Sequence, residues 1–230
     1  MITIIKSKDS STTFANACTW ADAIKRLENF KTYRPWHYMN VPRDHINITV
    51  NDCSKNCIPQ AILQHQKTLA QTKKQANWQQ VQALLFLGHW LGDIHQPLHI
   101  SFSDDLGGNN VKLSHSTTQC KNLHSYWDKC ILYKGKNSKK KWLALLTKKW
   151  NQHSQPNWQA EQVWQWADES FQLAKSASLN YCRLTNQGSC QKLTGKIRLP
   201  VNYLDQHQVV IEQRLLLAAQ RLTKILEATL

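Results

Sequence analysis

Apolar residues recur every three or four positions along most of the chain, which is the spacing of amphipathic α-helices. In the C-terminal segment they predict one broad apolar face on a helix over about 205–229. The residues of that face are Val209, Val210, Leu215, Leu216, Leu222, Ile225 and Leu226. Further helices are predicted over about 16–30, 58–74, 77–95, 123–131, 138–153 and 157–180. The pattern therefore predicts an all-α, mainly helical fold.

Four segments interrupt this helical pattern. Two prolines disfavour helix at the residue before each of them, so we predict an extended chain over 33–44. Paired glycines and asparagines accept positive φ and predict a turn or a short β-hairpin over 104–113. Residues 1–16 are predicted to be irregular, and 189–200 is predicted to be a loop. No repeat or linker divides the chain, so one domain is predicted over 1–230.

The chain is strongly basic. It has 29 Lys and Arg against 15 Asp and Glu, which gives a formal net charge of +14. Such an excess attracts polyanions such as nucleic acids, but it is also typical of a solvated basic surface. The run KGKNSKKKW over 134–142 has the same two interpretations, a phosphate-binding patch or the solvated start of a helix. Charge by itself leaves both open.

Six of the seven cysteines form locally spaced pairs, which suits short disulfide loops in an exported protein. The candidate pairs are Cys53 with Cys57, Cys120 with Cys130, and Cys182 with Cys190, and Cys18 is left over. The first residues lack the basic start and apolar core of a signal peptide, and no apolar stretch is long enough to span a membrane. We therefore expect a secreted or periplasmic protein whose export signal is not in the sequence as given.

The stretch LGHWLGDIHQPLHI, over 87–100, carries the first candidate chemistry. His89 and Asp93 are four residues apart, so on a helix both side chains lie on one face and reach one divalent ion. His99 follows beyond a proline that is expected to end the helix. His124 and Asp128 repeat the same spacing downstream. One such pair is usually solvated, but two pairs beside a third histidine favour a metal site.

Two residues upstream extend this set of donors. Asp22 in WAD and His37 in WHY bring it to seven imidazoles and carboxylates, which suits Zn²⁺. His95 lies off the face of His89 and is predicted either to support the ligands or to lie at the surface. The other histidines show no partner spacing and are predicted to be exposed, namely His45, His65, His115, His153 and His207.

Seven motifs occur in an order that resembles the zinc-dependent single-strand nucleases of the S1/P1 family, from about residue 15 to the C-terminus. They are WADAIK, WHYMNVP, CSKNCIPQAI, FLGHWLGDIHQPLHI, DLGGNNV, NLHSYWD and WADES. Bacterial zinc phospholipase C is similar in fold and ligand order, but its last ligand pair is His-x3-Glu. This chain has His124 and Asp128 instead, which favours the nuclease.

The resemblance implies a mainly α-helical fold that holds three zinc ions. It assigns Asp22, His37, His89 and Asp93 to the first zinc, and His99, His124 and Asp128 to the second. In the family a mature N-terminal tryptophan and a nearby histidine hold the third zinc, with the counterpart of Asp93 as a bridge. Neither residue type occurs before Trp20. We therefore expect a chain truncated at its start, by the gene model or by a real loss, that is weak or inactive as printed.

The resemblance also implies an activity. The family hydrolyses single-stranded DNA and RNA to 5′-phosphorylated products and removes 3′-phosphates from nucleotides. A monomer with single-stranded nucleic acid and nucleotides as partners, and with no membrane partner, is expected. The two alternatives are a zinc phospholipase C-like lipase, which needs a lipid-accepting apolar rim, and a non-catalytic remnant that binds zinc or nucleic acid.

The resemblance carries over some individual roles. Asp22, Asp93 and Lys25 are assigned to catalysis, and Lys25, Tyr38 and Asn110 to substrate binding. Lys25 stands where the family has a phosphate-contacting arginine, so the positive charge is kept but bidentate hydrogen bonding to phosphate is lost. Tyr38 matches an aromatic that stacks on a base, and the alternative is a core aromatic.

Overall fold

The computed structural model describes residues 13–53, 56–71, 77–115, 120–133, 139–152, 162–187 and 189–230. Helices dominate this part of the chain, which confirms the mainly α-helical fold class. The α-helices are α1 Phe14–Ala17, α2 Trp20–Ile24, α3 Ile58–Leu69, α4 Trp78–His95, α5 Leu123–Ser125, α6 Ile131–Tyr133, α7 Lys139–Gln152, α8 Val163–Lys175 and α9 Tyr203–Thr229.

Short strands and tighter helical turns connect these helices. The strands are β1 Met39–Val41, β2 Ile100–Phe102, β3 Lys112–Leu113, β4 Arg183–Leu184, β5 Cys190–Gln191 and β6 Lys196–Ile197. The 3₁₀ helices are Glu28–His37, Val50–Asp52, Pro97–His99, Ser103–Asp105 and Ala177–Leu179. A π-helical turn, Tyr126–Cys130, separates α5 from α6, so the predicted helix over 123–131 is not continuous α-helix.

The longest predicted helices agree best with the structure. The predicted helix over 77–95 is α4, which begins where the Asn77 side chain accepts a hydrogen bond from the Gln80 amide (3.0 Å). It ends at His95 because Pro97 follows shortly afterwards. The other long helices differ from the predictions mainly at their ends; α3, for example, already ends at Leu69.

The segment before the first strand was predicted wrongly in two ways. Residues 16–30 form α1, α2 and the start of a 3₁₀ helix instead of one helix, and residues 14–16 are helical rather than irregular. Within 33–44 the chain remains a 3₁₀ helix up to His37 and becomes extended only after it. Aromatic packing is the reason, because Tyr33 stacks on Phe86 of α4 with ring centroids 4.8 Å apart.

Of the two alternatives predicted over 104–113, the turn is present and the hairpin is not. Gly107 and Gly108 have φ of 63° and 78°, the left-handed conformation that glycine accepts. The strand that follows the turn, β3, pairs in parallel with β6, which lies inside the segment predicted to be a loop. A strand partner 84 positions away cannot be read from the local turn pattern.

The buried face of α9 is more polar than predicted. Val209, assigned to the apolar face, is 70% exposed, whereas Arg214 and Arg221 are buried. Both guanidinium groups bind Glu169 of α8, at 2.9 and 2.7 Å. Arg221 also lies 2.8 Å from Nε2 of His95, so His95 is a buried partner of this network and not a surface residue. Ion pairing offsets the cost of burying these charges.

The predicted disulfides are confirmed, and the predicted exposure of the histidines is only partly so. All three cysteine pairs are bonded as predicted, and Cys18 is free. His65 and His207 are buried, so their predicted exposure is wrong. His45 is half-buried and bound to a carboxylate at 2.6 Å, His115 is exposed, and His153 lies outside the described residues. None of the helices in the described ranges is both long and apolar enough to cross a membrane.

Burial lowers the pKa of His65 to about 4, because the ring lies among aromatic side chains where its charged form is poorly solvated. The unfolded chain binds the proton near pH 6.5 and the folded chain does not. We therefore expect the metal-free protein to lose about 3 kcal/mol of stability as pH falls from 6.5 to 4 through this group. Urea unfolding across that range measures it. His65→Leu is expected to flatten the dependence and His115→Leu to leave it unchanged; equal slopes in both variants would contradict the assignment.

Candidate metal centre

Two groups of His and Asp side chains that could hold a metal ion lie close together in the fold. In each group the donor atoms lie within 4.8 Å of one another. The first group is Asp22, His37 and His89, and the second is His99, His124 and Asp128. Asp93, the seventh predicted ligand, lies between them. The tertiary structure therefore brings together all seven residues that the sequence singled out.

The first group is built from three elements. Asp22 comes from α2, His37 is the last residue of a 3₁₀ helix, and His89 and Asp93 share one face of α4. Nδ1 of His37 and Nε2 of His89 are 3.2 Å apart, and each lies 3.7 Å from a carboxylate oxygen of Asp22. One oxygen of Asp93 lies 3.0 Å from His37 and 3.1 Å from His89.

The second group follows the same scheme on other elements. His99 closes the 3₁₀ turn after α4, His124 lies on α5, and Asp128 lies in the π-helical turn. Nε2 of His99 is 3.2 Å from one oxygen of Asp128, and Nε2 of His124 is 3.4 Å from the other. The two imidazole rings stack with centroids 4.9 Å apart. π-Helical turns are rare and often mark functional sites.

The pairing of β1 with β2 sets the distance between the two groups. These strands begin directly after the His37 and His99 segments, and Met39 pairs with Ile100 in parallel. Nδ1 of His99 then donates a hydrogen bond to the carbonyl of His37 (2.6 Å). Its Nδ1 also lies 3.7 Å from Asp93, so Asp93 faces both groups. The pairing of these two three-residue strands therefore brings the His37 and His99 motifs together in one site.

Backbone carbonyls fix the orientation of three of the four histidines. In each case Nδ1–H donates to a carbonyl, so Nε2 keeps the lone pair that a metal needs. The three bonds are His89 to Cys18 (3.0 Å), His99 to His37 (2.6 Å) and His124 to Gly107 (2.7 Å). His37 differs, because its Nδ1 faces the first group and its buried Nε2 has no hydrogen-bond partner in the described part of the chain.

Charge at the centre favours a bound cation. Burial opposes ionisation of Asp93, but the positive charge of His99 and His89 outweighs it and holds the Asp93 pKa well below its usual range. The same balance lowers the pKa of Asp128 to about 2, through its hydrogen bond and charge interaction with His99. Two ring nitrogens and a carboxylate oxygen within about 3 Å repel unless a proton or a cation lies among them. The imidazole and carboxylate donors fit zinc.

A cleft of about 1020 Å³ opens over both groups. Lys25, Arg26 and Arg34 are among its lining residues. Tyr38 also lines it and has 43% of its surface exposed, so Tyr38 is not a core aromatic. Lys25 donates a hydrogen bond to Asp22 (2.7 Å). Apolar side chains also line the cleft, namely Leu98, Trp127, Ile131, Leu132, Ile211 and Leu215.

Several residues of the cleft were missed by the sequence analysis. Asn109 lines the cleft, whereas Asn110, the predicted substrate-binding residue, is exposed and is not among its lining residues. The position directly after the glycine pair was the available signal for Asn109. Arg26 and Arg34 had no local signal beyond their charge. The carbonyls of Cys18 and Gly107 could not be found at all, because only the fold places them next to a histidine ring.

Several known proteins of similar sequence are named endonucleases or nucleases. Endonuclease 3 of Arabidopsis thaliana is 37% identical over 124 residues, which are 51% of this chain and 42% of that protein. Nuclease S1 of Aspergillus oryzae is 31% identical over 129 residues, 54% of this chain and 44% of that protein. Nuclease P1 of Penicillium citrinum is 29% identical over 129 residues, 54% and 47% of the two chains. The chain thus spans about half the length of the relatives it matches.

A sequence model of the whole family gives broader coverage than the individual relatives. The model described as S1/P1 Nuclease matches residues 1–230, which is the entire chain. The match includes every predicted metal ligand, so the motifs, the two donor groups and the family agree. On this evidence the chain belongs to the S1/P1 nuclease family.

Proposed function

We propose that this chain is a zinc-dependent phosphodiesterase that hydrolyses single-stranded DNA and RNA to 5′-phosphorylated products and removes 3′-phosphates from nucleotides. The observation that carries the proposal is the sharing of Asp93 by two His and Asp groups under an open cleft. A phosphodiester needs charge neutralisation at both the attacking and the leaving oxygen, and two adjacent cation sites meet that need.

Seven side chains of this protein would hold the zinc. Asp22, His37, His89 and Asp93 form the first site in this proposal, and His99, His124 and Asp128 the second. When bound, zinc supplies Lewis-acid polarisation of phosphate oxygens and lowers the pKa of nearby water. The carboxylates of the chain balance the metal charge, and the carbonyl-anchored rings keep their free nitrogens aimed at the sites.

The basic residues that line the cleft bind the phosphate backbone in this proposal. Lys25 is held beside Asp22, so its ammonium group lies at the edge of the first group and contributes charge to the reacting phosphate. Arg34 donates to the carbonyl of Lys25 through Nε (2.7 Å), which leaves its two terminal nitrogens for other acceptors. Together with Arg26 they place three cationic groups along the cleft, and the net charge of +14 adds long-range attraction.

Tyr38 provides the base contact, since it is exposed at the cleft and directly follows His37. Stacking of a base on an aromatic ring contributes about 1–3 kcal/mol. Tyr38→Ala is therefore expected to raise KM for a single-stranded oligonucleotide about 5- to 100-fold with little change in kcat. Tyr38→Phe, which keeps the ring, is expected to behave as wild type. A drop in kcat at constant KM would contradict the stacking role. Steady-state cleavage of a fluorescent oligonucleotide measures both constants.

The test of the proposal starts from chelator-treated protein. Zinc is added back while binding is followed, and cleavage of single-stranded DNA, duplex DNA and phosphatidylcholine vesicles is measured in parallel. Two zinc ions per chain and weak but selective cleavage of the single strand are expected. Hydrolysis of phosphatidylcholine would favour the lipase alternative, for which the apolar residues that line the cleft are the supporting observation. Zinc binding without any hydrolysis would favour the non-catalytic alternative.

Export and a monomeric state complete the proposal. Three short-range disulfides are typical of proteins from oxidising compartments, which supports a secreted or periplasmic location. The monomeric state is carried over from the family resemblance. Sedimentation velocity at micromolar concentration tests the oligomeric state, and trapping of free thiols before lysis tests whether the disulfides form in the cell.

A further inference from the structure

Asp105 is a fully buried carboxylate that the catalytic assignment does not use. One of its oxygens accepts hydrogen bonds from the amide of Gly108 (2.8 Å) and from the hydroxyl of Tyr181. The other oxygen is ion-paired with Nη2 of Arg43. A buried carboxylate persists only when its oxygens are paired and hydrogen-bonded, and both oxygens of Asp105 are.

These bonds hold a loop in an uncommon conformation. Leu106, Gly107 and Gly108 have φ of 56°, 63° and 78°, so three consecutive residues are left-handed. The loop also packs tightly, because a Cβ added at Gly107 would lie 2.6 Å from the carbonyl of Leu98, beside His99. With so little room, the position of the loop is set by what anchors it, and Asp105 is the anchor.

The anchored loop leads directly to the second donor group. The carbonyl of Gly107 accepts the Nδ1–H of His124 (2.7 Å), and the carbonyl of Gly108 accepts its backbone amide (3.4 Å). The first of these bonds decides which ring nitrogen of His124 faces Asp128. Two hydrogen bonds therefore connect Asp105 to the His124 ring, one from the Gly108 amide to Asp105 and one from the ring to the Gly107 carbonyl.

Arg43 connects the same anchor to the strand pair. Its guanidinium lies over the ring of Phe102, the last residue of β2, at 4.4 Å from the centroid, and Nε binds Asp104 at 2.9 Å. The two strands β1 and β2 are the ones that bring His37 and His99 together. Arg43 follows β1 closely in the chain, so its contacts hold the loop and the strand pair in one arrangement.

We propose that Asp105, with Arg43 and Tyr181, is a positioning residue for the second metal group. It holds the Gly107 carbonyl in place, which fixes the tautomer and the aim of the His124 ring. The inference rests on the proposed function, because it presumes that His99, His124 and Asp128 bind zinc. Outer partners of metal-binding histidines commonly change metal affinity by about 10- to 100-fold.

The experiment compares zinc affinities of the two groups by competition with chelators of graded strength. Asp105→Asn is expected to weaken the second group about 10- to 100-fold and to leave the first unchanged. Tyr181→Phe removes the hydroxyl that donates to Asp105 and also bonds the Ser101 side chain, but it leaves the Arg43 and Gly108 contacts of Asp105 in place. It is expected to weaken the second group about 3- to 10-fold. It serves as the informative variant if Asp105→Asn does not fold. Cobalt substitution gives a second readout, because the visible spectrum of a distorted second site shifts.

The matched control is Glu212→Gln, which removes the charge of another buried carboxylate, one that is paired with the half-buried Lys149 and lies far along the chain from both groups. It is expected to lower thermal stability without changing either zinc affinity. Unchanged affinities in both anchor variants, with two zinc ions still bound by wild type, would overturn the inference and leave the proposed function intact. Equal weakening of both groups would show a merely structural role and also overturn it. A wild-type chain that binds no zinc at the second group would refute the proposed function itself.

Discussion

Replacing Asp93 with asparagine is expected to remove zinc from the first group, to weaken the second, and to slow single-strand cleavage by about 10³-fold or more. No other carboxylate described in the structure faces both groups. One of its oxygens lies 3.0 Å from His37, 3.1 Å from His89 and 3.7 Å from His99. The amide keeps the shape of the side chain but removes the negative charge that would balance bound cations.

Metal analysis after dialysis against a weak chelator, with cleavage assays on the same samples, measures the effect. Asp205→Asn is the matched control, because Asp205 is an exposed carboxylate in the first turn of α9. It is expected to keep both zinc content and activity. An Asp93→Asn protein that retains two zinc ions per chain would show that Asp93 is not the shared ligand, whatever its activity.

Trp90→Ala is expected to cause the largest loss of stability of any single change considered, about 3–5 kcal/mol. Trp90 is fully buried in α4, and its ring stacks on Phe86 with centroids 5.1 Å apart. The same ring supports His37, whose imidazole meets it edge-on at 4.7 Å. Truncation leaves a large cavity under the first metal group, so zinc affinity at that group is expected to fall together with the stability.

Urea unfolding of the metal-free protein isolates the packing effect from metal binding. Trp78→Ala removes the same side chain at a site that is 38% exposed, and a loss on the order of 1 kcal/mol is expected there. Trp90→Phe keeps an aromatic ring in the cavity, so its loss of stability is expected to lie between those of Trp90→Ala and Trp78→Ala. If Trp90→Ala and Trp78→Ala lost the same stability, burial of Trp90 would not be what supports the core beneath His37.

The candidate site was more predictable than the folds of the segments that carry it. His89 with Asp93, and His124 with Asp128, were found from a spacing of four residues, which survives even though Asp128 lies in a π-helical turn. By contrast, the chain around His37 was predicted to be extended and is a 3₁₀ helix. The contacts that stabilise this 3₁₀ helix come from α4, and the local sequence pattern does not reveal them.

Burial of polar groups was the least predictable feature. Arg214 and Arg221 occupy the inner face of α9 because Glu169 of another helix binds both. His65 is buried because aromatic rings surround it. Charge and polarity favour exposure in any local analysis, and only a partner distant in sequence can reverse that preference. Helical periodicity carries no information about such distant partners.

The sequence by itself determined the helical class, the disulfide pairs and the His89/Asp93 and His124/Asp128 pairs, because each depends on spacing within a short stretch. The remaining metal-ligand candidates, Asp22, His37 and His99, came from short motifs and from the family resemblance that those motifs carry. The tertiary structure alone decided how those candidates meet. The short parallel pairing of β1 with β2 places His99 beside His37, and carbonyls of Cys18 and Gly107 orient the neighbouring rings. Backbone carbonyls carry no residue identity, and strand pairing across 61 positions leaves no local pattern, so both became visible only in the folded chain.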